Sequence, residues 1–449
     1  MANIAFRQGG EIDALLDSAP ISGFQIRVAL LCAAVAMLDG FDTQAIAFVA
    51  PVIGELWDIP PAHFGLIFSA GLLGILVGQL VAGPLSDRWG RRPVILGCTA
   101  LFGAFTFATL LADGWTSLII LRFLTGIGLG GATPNLITLT CEISPPRARA
   151  TMITSMFAGF PLGAALGGFV SSYLIPAFGW QSVFLLGGTA PLILLGFLFV
   201  WLPESPHILF HRRRNPEQLA RMLDRIAGKD RPPLSFAPEP LDVAEPARGY
   251  PALFAGQLAP ATMLLWLAYF NSLLMVYFLM SWLPTIARQS GLSLDTAIIS
   301  AVFLNLGGAL GGVLLGRIAD RYGAFQVLAA AYALAGLCLA LIGLAGAQTG
   351  LLMGLAFLAG LCTIGGQTAM NAATTGLYPA ELRATGLGAA LAVGRAGSIF
   401  GPWIGGLLLA THWSPSGIFM AAALPALLTA GISLSLVRAV QSRKDRILA

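Results

Sequence analysis

Charge is what this chain has least of. Asp, Glu, Lys and Arg make up 10% of its 449 residues, against roughly 25% in an ordinary water-soluble domain, and so few could not cover the surface of a soluble fold of this length. The four histidines, His63, His207, His211 and His412, lie singly in loops or at the ends of apolar runs, so neither an HExxH pair nor a metal-binding cluster can be assembled from neighbours in sequence. The five cysteines, Cys32, Cys98, Cys141, Cys338 and Cys362, include no CxxC and no spacing suited to zinc or to disulfides. They read as packing residues. No GxSxG, P-loop or nucleotide-binding pattern is present. An enzyme, a resident metal and a cofactor are therefore not expected. The net charge of +4, from 25 basic and 21 acidic residues, is too small a surplus to suggest a nucleic-acid partner.

What the chain does have is apolar length. Hydrophobic residues make up 57% of it and the mean hydropathy is +0.81. Long apolar runs fall at 24–50, 64–85, 93–112, 117–140, 151–174, 181–202, 259–284, 295–316, 324–345, 350–372, 385–410 and 415–437, each close to the roughly 20 residues that cross a bilayer as a helix. The fold class expected is an all-α integral membrane protein with twelve transmembrane helices. Glycine pairs such as Gly130-Gly131, Gly307-Gly308 and Gly311-Gly312 would weaken soluble helices but let membrane helices approach closely. Residues 1–22, with Glu11, Asp13 and Asp17, lack the basic-then-apolar order of a cleaved signal peptide, so the first helix is expected to stay.

The basic residues sort by side. Of the 25 Lys and Arg, Arg122 and Arg395 fall inside spans, Arg288 alone falls in an opposite loop, and all the others fall on the side of the termini. Basic residues in short loops are retained in the cytoplasm. Both termini are therefore expected there, with an even number of spans in a bacterial plasma membrane.

Residues 203–258 change character, with nine prolines from Pro203 to Pro251 among charged residues. Within them 216–227 is expected to form a short amphipathic helix, because Leu219, Leu223 and Ile226 share a face. It reads as a surface helix in a connector between a first bundle, 1–202, and a second bundle with a short tail, 259–449. The two halves repeat. Gly83-x-Leu85-x-Asp87-Arg88-x-Gly90 returns as Gly316-x-Ile318-x-Asp320-Arg321-x-Gly323, and Arg149-Ala150-Thr151 as Arg383-Ala384-Thr385, at offsets of 233 and 234. Two six-helix bundles in parallel repeat suit alternating access.

The run Gly83-Pro84-Leu85-Ser86-Asp87-Arg88-Trp89-Gly90-Arg91-Arg92 resembles the signature between the second and third helices of the major facilitator superfamily, and the resemblance covers nearly the whole chain. Asp39-Gly40-Phe41-Asp42, followed by Ala50-Pro51, is similar to the first helix of its aromatic acid:proton symporters, the carriers of benzoate, hydroxybenzoate and hydroxyphenylpropionate. The second copy of the signature departs from the pattern, with Ala324 and Phe325 where basic residues would follow Gly323.

Four ionisable residues, Asp39, Asp42, Arg122 and Arg395, lie well inside spans, at a cost of at least about 2.5–3.5 kcal/mol each if they faced lipid. Asp39 and Asp42 are three apart and share a helix face, and two close carboxylates in a poorly hydrated space disfavour joint ionisation. Proton coupling is placed on this pair, as the resemblance also implies, with Glu142 at a helix mouth as a further candidate. Gly40 leaves room between them for a substrate or a helix break. Arg395, near mid-span, is the better candidate for binding an anionic substrate through its planar fork, and Arg122 for pairing with the first-helix aspartates or for the outer route, although the two roles can be exchanged. Phe41, Asn135, Gln367 and Asn371 join the substrate candidates. Asp87, Arg88, Arg91, Arg92 and Arg149, with Asp320 and Arg321 in the second half, are candidates for ion pairs that close the inner face.

Energy must come from an ion gradient or from the solute's own gradient, and the resemblance implies protons. The leading expectation is import of an aromatic carboxylate with protons, one chain sufficing for a complete pathway. Two others stay open: a carrier of the same fold for a non-aromatic anion, a sugar-like solute or an exported toxic compound, and a membrane receptor that binds without cycling.

Overall fold

The structure, a computed structural model, describes residues 10–211, 216–227, 250–254, 258–345, 348–378, 382–411 and 413–448. These are helical, with no strand among the described residues. In chain order the helices are α1 (Gly10–Ser18), α2 (Gly23–Leu56), α3 (Pro61–Trp89), α4 (Arg91–Ala108), α5 (Trp115–Ile143), α6 (Arg149–Phe157), α7 (Gly159–Phe178) and α8 (Gln181–Trp201), then α9 (Pro206–His211) and α10 (Pro216–Ala227), then α11 (Leu258–Gln289), α12 (Leu294–Tyr322), α13 (Ala324–Ala345), α14 (Thr349–Leu377), α15 (Arg383–Ala410) and α16 (Pro415–Leu448). Among the described residues eleven stretches are long and apolar enough to cross a membrane. α15, which covers the eleventh of the twelve expected spans, is not among them despite its 28 residues, because Arg395 and repeated glycines dilute its hydropathy.

Local chemistry sets several boundaries. α2 begins at a capping box in which the Gln25 N–H donates to Ser22 Oγ at 3.3 Å and the Ser22 N–H donates to Gln25 Oε1 at 2.8 Å, satisfying donors that a helix start leaves open. The expected fifth span is divided at Ala158 into α6 and α7. Pro161 has no N–H to offer the Phe157 carbonyl there, which weakens the helical ladder at that turn.

The sequence repeat is a repeat of packing. α3 lies along α5 as α12 lies along α14, α4 packs on α8 as α13 packs on α16, and α2 packs on α7 as α11 packs on α15. Glycine brings these backbones together: a Cβ at Gly78 would overlap the Ile127 carbonyl oxygen of α5, and one at Gly311 the Leu361 carbonyl oxygen of α14.

The two sets of helices meet where α3 faces α15, α7 faces α12 and α2 faces α11. Gly65 sits against Pro402 and Gly406, Ser69 Oγ donates to the Ile399 carbonyl at 2.7 Å, and the Phe68 ring meets Trp282 edge-on with centroids 5.2 Å apart. Arg288 Nε approaches Glu55 at 3.7 Å. These contacts lie toward the end of the bundle that carries the 57–60 and 290–293 loops, away from the end that carries Arg88, Arg147 and Arg321.

At that basic end the amphipathic helix forms as α10. Its Leu219, Met222, Leu223 and Ile226 are buried against Ile12, Leu15 and Leu16 of α1, a helix outside the long-run reading of the sequence. Arg147 ties α1 down by donating to the Ala19 carbonyl at 2.6 Å and approaching Asp17 at 3.6 Å.

Candidate functional site

α2 buries Asp39, Phe41, Asp42 and Gln44, and because these positions fan around the helix they meet different neighbours. Asp42 turns toward α4 and α5. Arg122 Nη1 lies 3.1 Å from Asp42 Oδ2, the two side chains being 3% and 2% exposed, and Thr106 Oγ1 donates to Asp42 Oδ1 at 2.5 Å. Arg122 Nη2 also donates to Thr109 Oγ1 at 2.9 Å and Thr125 Oγ1 at 3.3 Å, and the guanidinium lies 5.1 Å from the Phe184 ring centre. This is a buried ion pair in which hydroxyls take up hydrogen bonds of Arg122 Nη2 and Asp42 Oδ1, which helps such a pair to be tolerated, while Arg122 Nε stays buried without a hydrogen-bond partner. Of the partners open to Arg122, the structure gives it Asp42.

Asp39 is held differently. Thr43 Oγ1 donates to its Oδ1 at 3.2 Å and Thr133 Oγ1 to its Oδ2 at 3.0 Å. Among the described residues no cation lies within ion-pair distance of it. Arg395 lies on α15 in the other half. Arg395 is half-buried, donates through Nη1 to the Tyr277 hydroxyl at 3.2 Å, and has no carboxylate partner among the described residues. Tyr277 and Ser281 of α11 share a narrow pocket between the halves with Asp42, Gln44, Arg122 and Thr125. Gln44 Nε2 is buried there without a hydrogen-bond partner.

Gln367 and Asn371, four apart on α14, join a polar network with α11 and α13. Ser272 Oγ donates to Gln367 Oε1 at 2.5 Å and lies 2.5 Å from the Tyr332 hydroxyl, Gln367 Nε2 donates to Asn371 Oδ1 at 3.3 Å, and Tyr269 donates to Asn371 Oδ1 at 2.9 Å. Since the Ser272 proton goes to Gln367, Tyr332 is the donor to Ser272. The other substrate candidates stand apart from this group. The Phe41 ring packs against Gly167 and Gly187 of α7 and α8, and Asn135 Nδ2 donates within its own helix to the Gly131 carbonyl at 2.9 Å. α2 runs unbroken through Gly40, where a Cβ would overlap the Phe160 carbonyl oxygen. The expectation of room for a substrate or a helix break at Gly40 is thereby corrected: glycine there lets α2 approach α7.

At the basic end Arg91 joins two helices, with Nη1 2.6 Å from Asp87 Oδ1 and Nη2 3.5 Å from Glu142 Oε1. Glu142 therefore lies with the gate candidates, apart from Asp39 and Asp42. Arg92 Nη2 donates to the Phe199 carbonyl at 2.6 Å, Arg149 Nε to the Cys141 carbonyl at 3.0 Å, and Arg88 is exposed. In the second half Arg321 lies 5.4 Å from the Tyr322 ring centre, and the side chain of Asp320 lies outside the described residues. Glu204, absent from the sequence candidates, caps α4: its Oε1 accepts the backbone N–H groups of Arg91 at 2.8 Å, Arg92 at 3.3 Å and Ser205 at 2.9 Å, a carboxylate at a helix N-terminus. The threonines around the aspartates were also missed. Thr43 and Thr125, one turn from Asp39 and Arg122, carry a signal in their spacing; Thr106 and Thr133 come from other helices and carry none.

Comparison with known proteins agrees with this arrangement. The Major Facilitator Superfamily profile matches residues 32–311 and 265–447. The 4-hydroxybenzoate transporter PcaK of Pseudomonas putida is 39% identical, over 97% of this chain and 97% of its own length. The 3-(3-hydroxy-phenyl)propionate transporter of Escherichia coli is 38% identical, over 93% of this chain and 94% of its own. In fold the chain is similar to the xylose transporter XylE of Escherichia coli, with a TM-score of 0.69 at 17% identity, covering 91% of this chain and 97% of that one. The signature at residues 83–92, the repeated helix packing and the profile match converge: this chain belongs to the Major Facilitator Superfamily.

Proposed function

We propose that the chain is a secondary carrier that imports a hydroxylated aromatic carboxylate together with protons. The observation that carries this reading is Arg395, a half-buried guanidinium beside the cleft between the halves, hydrogen-bonded to the Tyr277 hydroxyl and lacking a carboxylate partner among the described residues. An arginine so placed is open to a ligand's carboxylate, which its planar fork can take in two parallel hydrogen bonds. Arg122 is already neutralised by Asp42. The aromatic, hydroxylated character of the cargo is supported by the relatives' own substrates and by the Tyr269, Gln367 and Asn371 network, whose amides and phenol can exchange hydrogen bonds with a ring hydroxyl.

Asp39 is assigned the proton. Held by hydroxyls alone, it has no local counter-charge to lose when protonated, whereas a proton on Asp42 would break the pair with Arg122. With the basic end in the cytoplasm of a bacterium, as the positive-inside rule directs, the contacts between the halves seal the outer side, and the cleft opens inward. Closing it again would bring the first-half cluster of Asp87, Arg91 and Glu142, with Arg88, Arg92 and Arg149, toward Asp320 and Arg321. No cofactor takes part, and one chain is the transporting unit.

The test is uptake of labelled 4-hydroxybenzoate into proteoliposomes with and without an inward proton gradient. Accumulation should rise with the gradient and vanish in Asp39→Asn. Gradient-independent uptake by correctly inserted protein would reject symport. Equal uptake of aliphatic and aromatic acids would reject the cargo.

A further inference from the structure

A second cluster of guanidiniums lies far from the cleft. At the basic end a cavity of about 300 Å3 is framed by Arg92 at the start of α4, Trp201 at the end of α8, Phe24 at the start of α2, and Gln218, Arg221 and Arg225 on α10. Three arginines around one cavity repel one another unless an anion or a carboxylate lies among them. Among the described residues none of the three has a carboxylate within ion-pair distance. Arg92 gives one nitrogen to the Phe199 carbonyl, and Arg221 Nε donates to the Glu217 carbonyl of its own helix at 3.2 Å. Arg92 Nε is buried without a hydrogen-bond partner. Glu217 and Asp224 share α10 with Arg221 and Arg225, and Glu204, at the start of α4, spends its Oε1 on the backbone N–H groups of Arg91, Arg92 and Ser205.

The position of the cavity says what kind of anion fits. α8 is a membrane-spanning helix that ends at Trp201, and its last two turns present apolar side chains outward: Phe199 is 67% exposed and Val200 71%, with the Phe197 and Trp201 rings tilted against each other at 5.3 Å between ring centres. Exposed apolar surface of this kind faces acyl chains, and a tryptophan at a span end marks headgroup depth. The cavity therefore opens where hydrocarbon gives way to arginine, the layering of a phospholipid, and basic pockets on the cytoplasmic side of helix bundles suit anionic headgroups. α10 supplies two of the three arginines on its polar side while its apolar side is buried against α1, so the helix is held over the cavity with its guanidiniums in place.

We infer that this cavity binds the phosphate of an anionic phospholipid, with Arg92, Arg221 and Arg225 as ligands and Trp201 and Phe24 against the glycerol and upper acyl chain. The site shares Arg92 with the gate cluster of the transport reading, and its test does not use transport. Purified full-length protein in a neutral detergent is titrated with phosphatidylglycerol, with phosphatidylcholine and with soluble glycerol phosphate, and the unfolding midpoint and the lipid retained in native mass spectra are recorded. Phosphatidylglycerol should raise the midpoint and be retained, and the other two should not. Arg221→Gln with Arg225→Gln, both exposed and expected to fold, should raise the half-saturating lipid concentration about tenfold or more. Arg317→Gln, an exposed arginine on α12 at the same end, should leave it unchanged. Equal protection by glycerol phosphate would overturn the lipid assignment, and an unchanged phosphatidylglycerol response in the double variant, or an equal loss in Arg317→Gln, would overturn the site.

Discussion

Asp39 and Asp42 are three residues apart on one helix and have different tasks because their neighbours differ. Asp42→Asn leaves Arg122 buried with no counter-charge, a loss of about 3–5 kcal/mol for a broken buried pair. Asp39→Asn keeps a side chain that still accepts a hydroxyl and should change stability by no more than about 1 kcal/mol. Thermal unfolding in detergent should therefore rank Asp42→Asn well below Asp39→Asn, with Asp42→Asn plus Arg122→Gln recovering part of the loss; equal midpoints for the two single variants would contradict this division. At Arg395, a lost charge-assisted hydrogen bond is worth about 1.5–3 kcal/mol. Arg395→Gln should raise the half-saturating concentration of an aromatic carboxylate more than tenfold, and Arg395→Lys should restore charge but not the two-pronged geometry. An unaltered affinity in Arg395→Gln would move the carboxylate elsewhere. The sequence marks these four charges because their burial is costly wherever they face. It does not show which acid meets which arginine, since Thr106, Thr109 and Thr133, which help decide it, lie on helices far away in sequence.

Among the elements, the repeated turn after the second helix of each half is the most legible. Gly90 has φ of 114° and Gly323 of 95°, so both copies of the motif end in backbone that only glycine adopts readily. The copies are not equal. A Cβ at Gly90 would collide with the Glu204 carboxylate that caps α4, while one at Gly323 would meet only the flexible end of Gln326. Gly90→Ala should lose about 1–3 kcal/mol for the strained backbone and disturb the cap as well. Gly83→Ala, in open space within α3, should be neutral or gain up to about 1 kcal/mol. Differential unfolding of these two variants checks the contrast, and similar midpoints would show that the turn tolerates a side chain. Helix α10 was legible for the same reason, its apolar residues falling on one face of Pro216–Ala227. The helix that covers it, α1, was not, because its nine residues are too short to register as an apolar run. The division of the fifth span at Ala158 turns on a single missing N–H at Pro161 and leaves the hydropathy profile unbroken.

A carrier that alternates must seal each side by an interaction weak enough to reverse, and the seal seen here has that character. Beside the packing of α7 on α12 and α2 on α11, it includes a glycine contact between α3 and α15, a hydrogen bond from Ser69 to Ile399, an edge-on ring pair, and the Glu55 and Arg288 pair, whose side chains are 69% and 42% exposed and which should contribute at most about 1 kcal/mol. The glycine contact is the sensitive part, because at Gly406 an added Cβ would lie 3.0 Å from the Gly65 Cα and from the Pro61 carbonyl oxygen, and backbone cannot rotate away. Gly406→Leu therefore acts as a wedge costing about 1–3 kcal/mol in the sealed state and little once α3 and α15 separate. At about 2 kcal/mol the balance between sealed and open outer ends shifts roughly thirtyfold. A cysteine at Ser281, which lines the pocket between the halves, reports the change: a membrane-impermeant maleimide added outside should label it many times faster in Gly406→Leu than in the Ser281→Cys parent. Glu55→Gln should alter the rate only slightly. If the wedge leaves labelling unchanged, the barrier to the outside lies elsewhere than between α3 and α15, and the inward-open reading of this structure fails with it.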